Sequence, residues 1–140
     1  MNENEIKIRN LSAYDDLTLS VFAKNSSFSG TIETYCSRKE FSKFANELQT
    51  FPNSLNHIVT LEIGEDLKTY DYFLIRAFVN DSVGHSNLFF IMSNKPTGRV
   101  EFTMNLEPAS INEIGRKLIL WIDRENEEFV WDDSKSLFKF

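Results

Sequence analysis

The chain has little of what most site chemistry is built from. Its 140 residues include one cysteine, Cys36, and two histidines, His57 and His85. A lone cysteine excludes an internal disulfide and any multi-cysteine metal site, and it fits a reducing compartment. The histidines are not spaced as H-x-x-x-H and have no clustered carboxylate loop beside them. "DSVGH" is too short for a calcium loop and lacks its bidentate glutamate, so neither zinc nor calcium has a ligand set. The five glycines are scattered, with no G-x-x-x-x-G-K-[ST] or G-x-G-x-x-G stretch to cradle phosphate. A Cys36–His57 nucleophile and base pair has no local signature. No catalytic group, metal or cofactor is therefore expected.

Long apolar runs are also missing. "LFFIM" and "LILWI" are far too short to cross a bilayer, and "MNENEIKIRN" has neither the basic start nor the apolar stretch of a secretory signal. The expected location is cytoplasmic, without membrane contact. Positive charge is scarce: the net charge is −6, whereas direct nucleic-acid binding needs a basic face to displace phosphate counterions. A basic protein partner suits this balance better.

Aromatic residues are plentiful, with 13 phenylalanines. Each large ring buries about 150–250 Å², which points to a core built on rings. The length fits one domain, 1–140, able to bury roughly two-thirds of its unfolded surface. Ile6 and Ile8, then Leu17, Leu19 and Val21, then Phe28, Ile32 and Cys36 alternate as in three strands, with Gly30 marking a bulge or a close backbone approach. "SRKEFSKFANELQTFP" opens with a Ser37/Glu40 capping box and carries Phe41, Phe44, Ala45, Leu48 and Phe51 at helical spacing, predicting a helix over 38–50.

"HIVTLEI", "YFLIRAFV", "NLFFIMS" and "RVEFTMNL" read as four more strands joined by short turns, an antiparallel meander. The middle two, more continuously apolar, belong at the centre with both faces covered by the terminal segments. A second helix, over 110–124, is signalled by Ser110/Glu113 and by the stripe Ile111, Ile114, Leu118, Trp121 and Ile122. Gly115 within it implies a close helix–sheet contact. The expected fold is α+β: a mainly antiparallel, curved sheet of about six to seven strands with two principal helices, followed by an acidic segment at about 123–140.

That segment holds most of the charge. Between Asp123 and Asp133, six carboxylates stand against Arg124 alone, so all but one unit of the net −6 lies there. Phe129, Val130 and Trp131 interrupt them, either to anchor the segment to the domain or to sit at the centre of an interface. Asp123, Glu125, Glu127, Glu128, Trp131, Asp132 and Asp133 are the candidate residues for contact with a basic partner.

Three stretches carry a family resemblance: "FSGTIETYCSRKEFSKFANEL"; a strand followed by Asp81-x-x-Gly84-His85; and "EFTMNLEPASINEIGRKLILW", which joins the last strand to the closing helix. Over roughly residues 15–122 the order of elements resembles the small cytoplasmic immunity proteins of bacterial polymorphic toxin systems, the WapI-like group, and more loosely those of contact-dependent inhibition. The resemblance implies a non-enzymatic inhibitor that binds a cognate toxin domain, often a nuclease, and blocks its active site or its access to substrate. A nuclease domain tends to be basic, and an acidic inhibitor exploits that field. The alternative is a small-ligand binding domain with an apolar pocket enclosed by the curved sheet. Neither reading fixes an oligomeric state.

Overall fold

The fold is described from a computed structural model, for residues 3–12, 15–95, 97–124 and 126–135, the last without its side chain. Eight strands and two α-helices run in the order β1 (Glu5–Asn10), β2 (Asp16–Lys24), β3 (Ser29–Ser37), α1 (Arg38–Gln49), β4 (Ile58–Ile63), β5 (Asp71–Val79), β6 (Ser86–Asn94), β7 (Gly98–Leu106), α2 (Pro108–Trp121) and β8 (Phe129–Asp132). The α+β class and antiparallel pairing are as expected, but the single sheet of six to seven strands is not. There are two four-stranded antiparallel sheets, β3-β2-β1-β8 and β4-β5-β6-β7.

In the first sheet the inward residues align in rows across the strands: Phe129–Ile8–Val21–Ile32 and Trp131–Ile6–Ala23–Gly30. The second row falls in size from indole to hydrogen. At its small end, a Cβ on Gly30 would lie 2.6 Å from Val100 Cγ1 and 2.9 Å from Met92 Sδ on the other sheet. Gly30 therefore marks a close approach of the two sheets, and no bulge, since the β2–β3 register is unbroken around it. β3 touches all four strands of the second sheet and so runs across them.

The second sheet is the expected meander, and its inner face packs Val59, Phe73, Ile75, Leu88, Phe90, Phe102 and Met104 into the same core as the first sheet and both helices. Phe90 and Phe102 stack at 5.3 Å between ring centroids. β5 and β6 are central, but the terminal segments do not cover their outer face as expected. Those segments build the first sheet instead.

Helix α1 starts as its capping residue predicts, with Ser37 Oγ accepting from Glu40 N at 3.0 Å. Helix α2 does not. It begins at Pro108, whose missing N–H costs nothing in the first turn, with Glu107 at the N-cap position. Glu113, expected in a capping box with Ser110, is buried a turn further on and pairs with Lys117 at 3.0 Å. Gly115 serves a helix–helix contact in place of the expected helix–sheet one, since its added Cβ would lie 2.6 Å from Ala45 O on α1. Asn112 Nδ2 binds the two helices further by donating to Leu48 O and Phe51 O. The stretch 122–124, expected as helix, is a turn.

Candidate binding surface

The acidic segment is part of the fold, not an appendage. Asn126, at φ 63°, helps to reverse the chain after α2, and Trp121 Nε1 donates to Glu127 O at 2.7 Å across that reversal. The chain then enters β8, which pairs with β1. Phe129 and Trp131 point inward, and Trp131 is 1% exposed. Trp121 sits edge-on between Phe41 of α1 and Phe129 of β8. Trp131 is thus placed as an internal anchor of the segment, the first of the two roles the sequence allowed.

The candidate carboxylates divide accordingly. Asp132 is buried and accepts from Ser134 N and Oγ, and Asp133 accepts from Asn4 N and Nδ2. Both stand at the same end of the β1–β8 pair, where Glu5 faces Asp132. Asp123, Glu127 and Glu128 are exposed; Asp123 faces Arg38 at 3.3 Å and Glu127 faces Arg124 at 3.4 Å. Glu125 lies outside the described residues. The exposed field of this segment is therefore smaller than the linear sequence implies.

A larger surface feature, absent from the sequence reading, is the outer face of the second sheet. Its residues align as Ile58–Phe78–Asn87–Asn105, Thr60–Arg76–Phe89–Thr103, Glu62–Leu74–Ile91–Glu101 and, at the far end, Tyr72–Ser93–Arg99. Within these rows Tyr72, Leu74 and Ile91 are buried, beside polar contacts that include the β4–β5 loop. Asp66 of that loop binds Arg99 of β7 through two hydrogen bonds of 2.6 and 3.1 Å, Lys95 Nζ donates to Leu67 O, and Tyr72 Oη donates to Glu62 at 2.5 Å. Arg99 holds the Asp66 carboxyl below its usual range, and burial with the Glu62 contact pushes the Tyr72 phenol up to about 12. Gly64, at φ +91°, makes the turn into this strap, where a Cβ would strike Asp71 O at 2.6 Å.

The other end of the face is uncovered. Leu55 and Ile58 are more than half exposed, and Phe78 and Phe89 are partly so. With His57, Arg76, Val79 and Thr103 they line an open depression of about 770 Å³. It lies on the outside of a sheet, so it is not the enclosed pocket that the small-ligand alternative expected. Arg76 Nε donates to Thr60 Oγ1 at 3.3 Å, which draws the guanidinium toward β4.

Beside this depression a polar cleft of about 390 Å³ is lined by Asn80, Asp81, His85, Asn87, Asn105 and Glu107, with Ser86 and Leu106. The Asp81-x-x-Gly84-His85 turn builds one wall: Asp81 Oδ1 accepts from Val83 N and His85 N, and Oδ2 meets His85 Nδ1 at 2.6 Å. The hydrogen bond and charge of Asp81, with Glu107 nearby, raise the His85 pKa, and His85 lowers that of Asp81. By sign, the histidine's contribution is complete below the unfolded value of about 6.5 and fades as pH rises through the raised folded value. A proton NMR titration should place the His85 midpoint above about 6.5, and Asp81→Asn should bring it back down. An unchanged midpoint in that variant would show that the contact does not persist in solution.

Cys36 and His57 show no such arrangement. Cys36 is buried on β3, where burial first, then Glu40 and Asp16, push the thiol up to about 12. His57 tilts against Phe51, and its Nδ1 accepts from Asn53 N at 3.1 Å. Among the described residues no three His, Cys, Asp or Glu side chains converge as around a metal ion, and no helix is long and apolar enough to cross a membrane. Comparison with protein-family models, curated proteins and solved structures finds no match for this chain.

Proposed function

We propose that this chain is a cytoplasmic immunity protein that binds and neutralises a cognate toxin domain of basic, nuclease-like character. The observation that supports the reading is the half-covered outer face of the second sheet. One end is closed by the strap, while the other offers Leu55, Ile58, Phe78 and Phe89 around an arginine. Aromatic residues and arginine on a patch with few competing charges have the composition of an interface core. The acidic balance of the chain and the exposed Asp123, Glu127 and Glu128 supply the long-range attraction that such a partner would feel.

The test is association with the C-terminal domain of a large secreted protein encoded beside this chain. Changing Asp123, Glu127 and Glu128 together to lysine should slow association about 10-fold or more at low salt, with a smaller effect as salt shortens the Debye length. Asp132 and Asp133 are excluded from the variant because a lysine there would break the β1–β8 pair. Ile58→Asp should instead speed dissociation. The reading fails if cells producing that domain gain no protection from the unaltered chain.

A further inference from the structure

Backbone hydrogen bonds fix which residues of the second sheet face which neighbouring strand. Asn80 N donates to His85 O and Lys95 N to Tyr70 O, so by the β5–β6 register Tyr72, Leu74, Arg76 and Phe78 are the residues of β5 that bond to β6. In an antiparallel ladder the alternate residues of a central strand bond to its other neighbour. Phe73, Ile75 and Ala77 therefore bond to β4, through Ile63, Leu61 and Val59. That leaves Ile58, Thr60 and Glu62 with N–H and C=O directed away from the sheet. β4 is an edge strand, and among the described residues no loop, turn or side chain bonds to the outer side of its backbone. The same phase turns Thr103 O outward on β7, the opposite edge, where Asn25 Nδ2 donates to it at 2.9 Å. One edge is capped near its middle and the other is open.

The open edge also has room beside it. A groove of about 230 Å³ runs between α1 and β4, and its apolar lining is Phe44 and Leu61. Glu40, Glu47 and Glu62 stand around it against Lys43. An unpaired edge with space beside it is where an extended segment adds itself as a further strand, its main chain supplying the bonds. The sign of the groove then selects the occupant. A second copy would bring the same carboxylates of another chain of net charge −6 against these, so self-pairing is opposed and a basic strand is admitted.

Side chains of such a strand alternate between its two faces. Those level with Ile58, Thr60 and Glu62 fall on the outer face and extend the row Ile58–Phe78 of the exposed patch. Those between them turn toward α1, where a lysine or arginine lays its stem along Phe44 and Leu61 and its charge among the carboxylates. Resting on the reading of this chain as the binder of a basic protein, we propose that the free edge of β4 takes an extended, basic segment of that partner as a fifth strand of the second sheet.

The probe is acetyl-Val-Lys-Val-Lys-Val-amide, with acetyl-Val-Glu-Val-Glu-Val-amide as its acidic counterpart, added to the full-length chain labelled for NMR. At saturation the basic peptide should slow amide hydrogen exchange at Thr60 and Glu62 about 10-fold or more, and leave Leu61, already bonded to β5, unchanged. It should bind about 10-fold or more tighter than the acidic peptide at low salt, a gap that narrows as salt is added. Thr60→Pro removes an outward N–H and no ladder bond, which an edge strand tolerates, and should weaken the basic peptide about 10-fold or more, whereas Thr60→Ala should leave it bound. Unchanged exchange at Thr60 and Glu62, or equal binding of the two peptides, would overturn the proposal. So would slowed exchange at these amides on raising the protein concentration alone, since a second copy would then hold the edge. Should the proline variant not fold, the exchange pattern of the unaltered chain decides by itself. Undiminished toxin protection by folded Thr60→Pro removes the role of the edge while the immunity reading stands. Exchange slowed by the basic peptide, without toxin protection from the unaltered chain, removes the immunity reading alone.

Discussion

Trp131→Ala is expected to cost about 3–5 kcal/mol of folding stability, the range for emptying a large aromatic site in a packed interior. Trp131 is 1% exposed and is the direct cross-strand neighbour of Ile6, so its loss opens a cavity at the wide end of the row that closes on Gly30. The side chain's effect lies in its volume, since its Nε1–H finds no partner among the described residues. Trp131→Phe keeps a ring and removes that unpaired donor, and should cost only about 1–2 kcal/mol. Urea unfolding of the three proteins measures both values. If Trp131→Ala leaves the midpoint within about 1 kcal/mol of the parent, β8 is not integral to the sheet and the aromatic cluster is free to act at an interface.

Gly115→Ala separates local preference from packing by the sign of its effect. In an isolated helix alanine is favoured over glycine by about 1 kcal/mol. Here the new Cβ would lie 2.6 Å from Ala45 O, 2.7 Å from Leu48 Cβ and 3.0 Å from Gln49 N. Two of those three neighbours are backbone atoms, which cannot rotate away, so α1 and α2 must move apart and disturb the core below. The expected net result is a loss of about 1–3 kcal/mol, and more for Gly115→Val. Stabilisation by alanine, read as a higher thermal midpoint, would mean that the helices do not meet at this residue.

How much was legible in the sequence differs from element to element for physical reasons. Helix α1 could be read almost to its limits, because its cap and apolar stripe are local and Ser37 Oγ meets Glu40 N as the spacing implies. The four strands of the meander were legible for the same reason: each alternates by itself, and each pairs with its chain neighbour through a short turn. β8 was not. Only four residues long and ending in a carboxylate, it becomes a strand by pairing with β1, more than a hundred residues earlier. Read along the chain, its charges look like a tail and its tryptophan like an anchor offered to a partner.

The candidate surface was hidden in the same way. Phe78, Asn87 and Asn105 belong to three strands and become neighbours only through register, so no linear pattern joins them. The sequence by itself determined the number of helices, the antiparallel pairing, the ring-rich core and the acidic balance, because periodicity, turn chemistry and composition act over a few residues. Only the tertiary structure decided that there are two sheets, that Trp131 and Asp132 belong to the interior, and which half of an outer face stays open. Those features depend on contacts between segments distant in the chain, and on the sizes of side chains that meet only when the layers close.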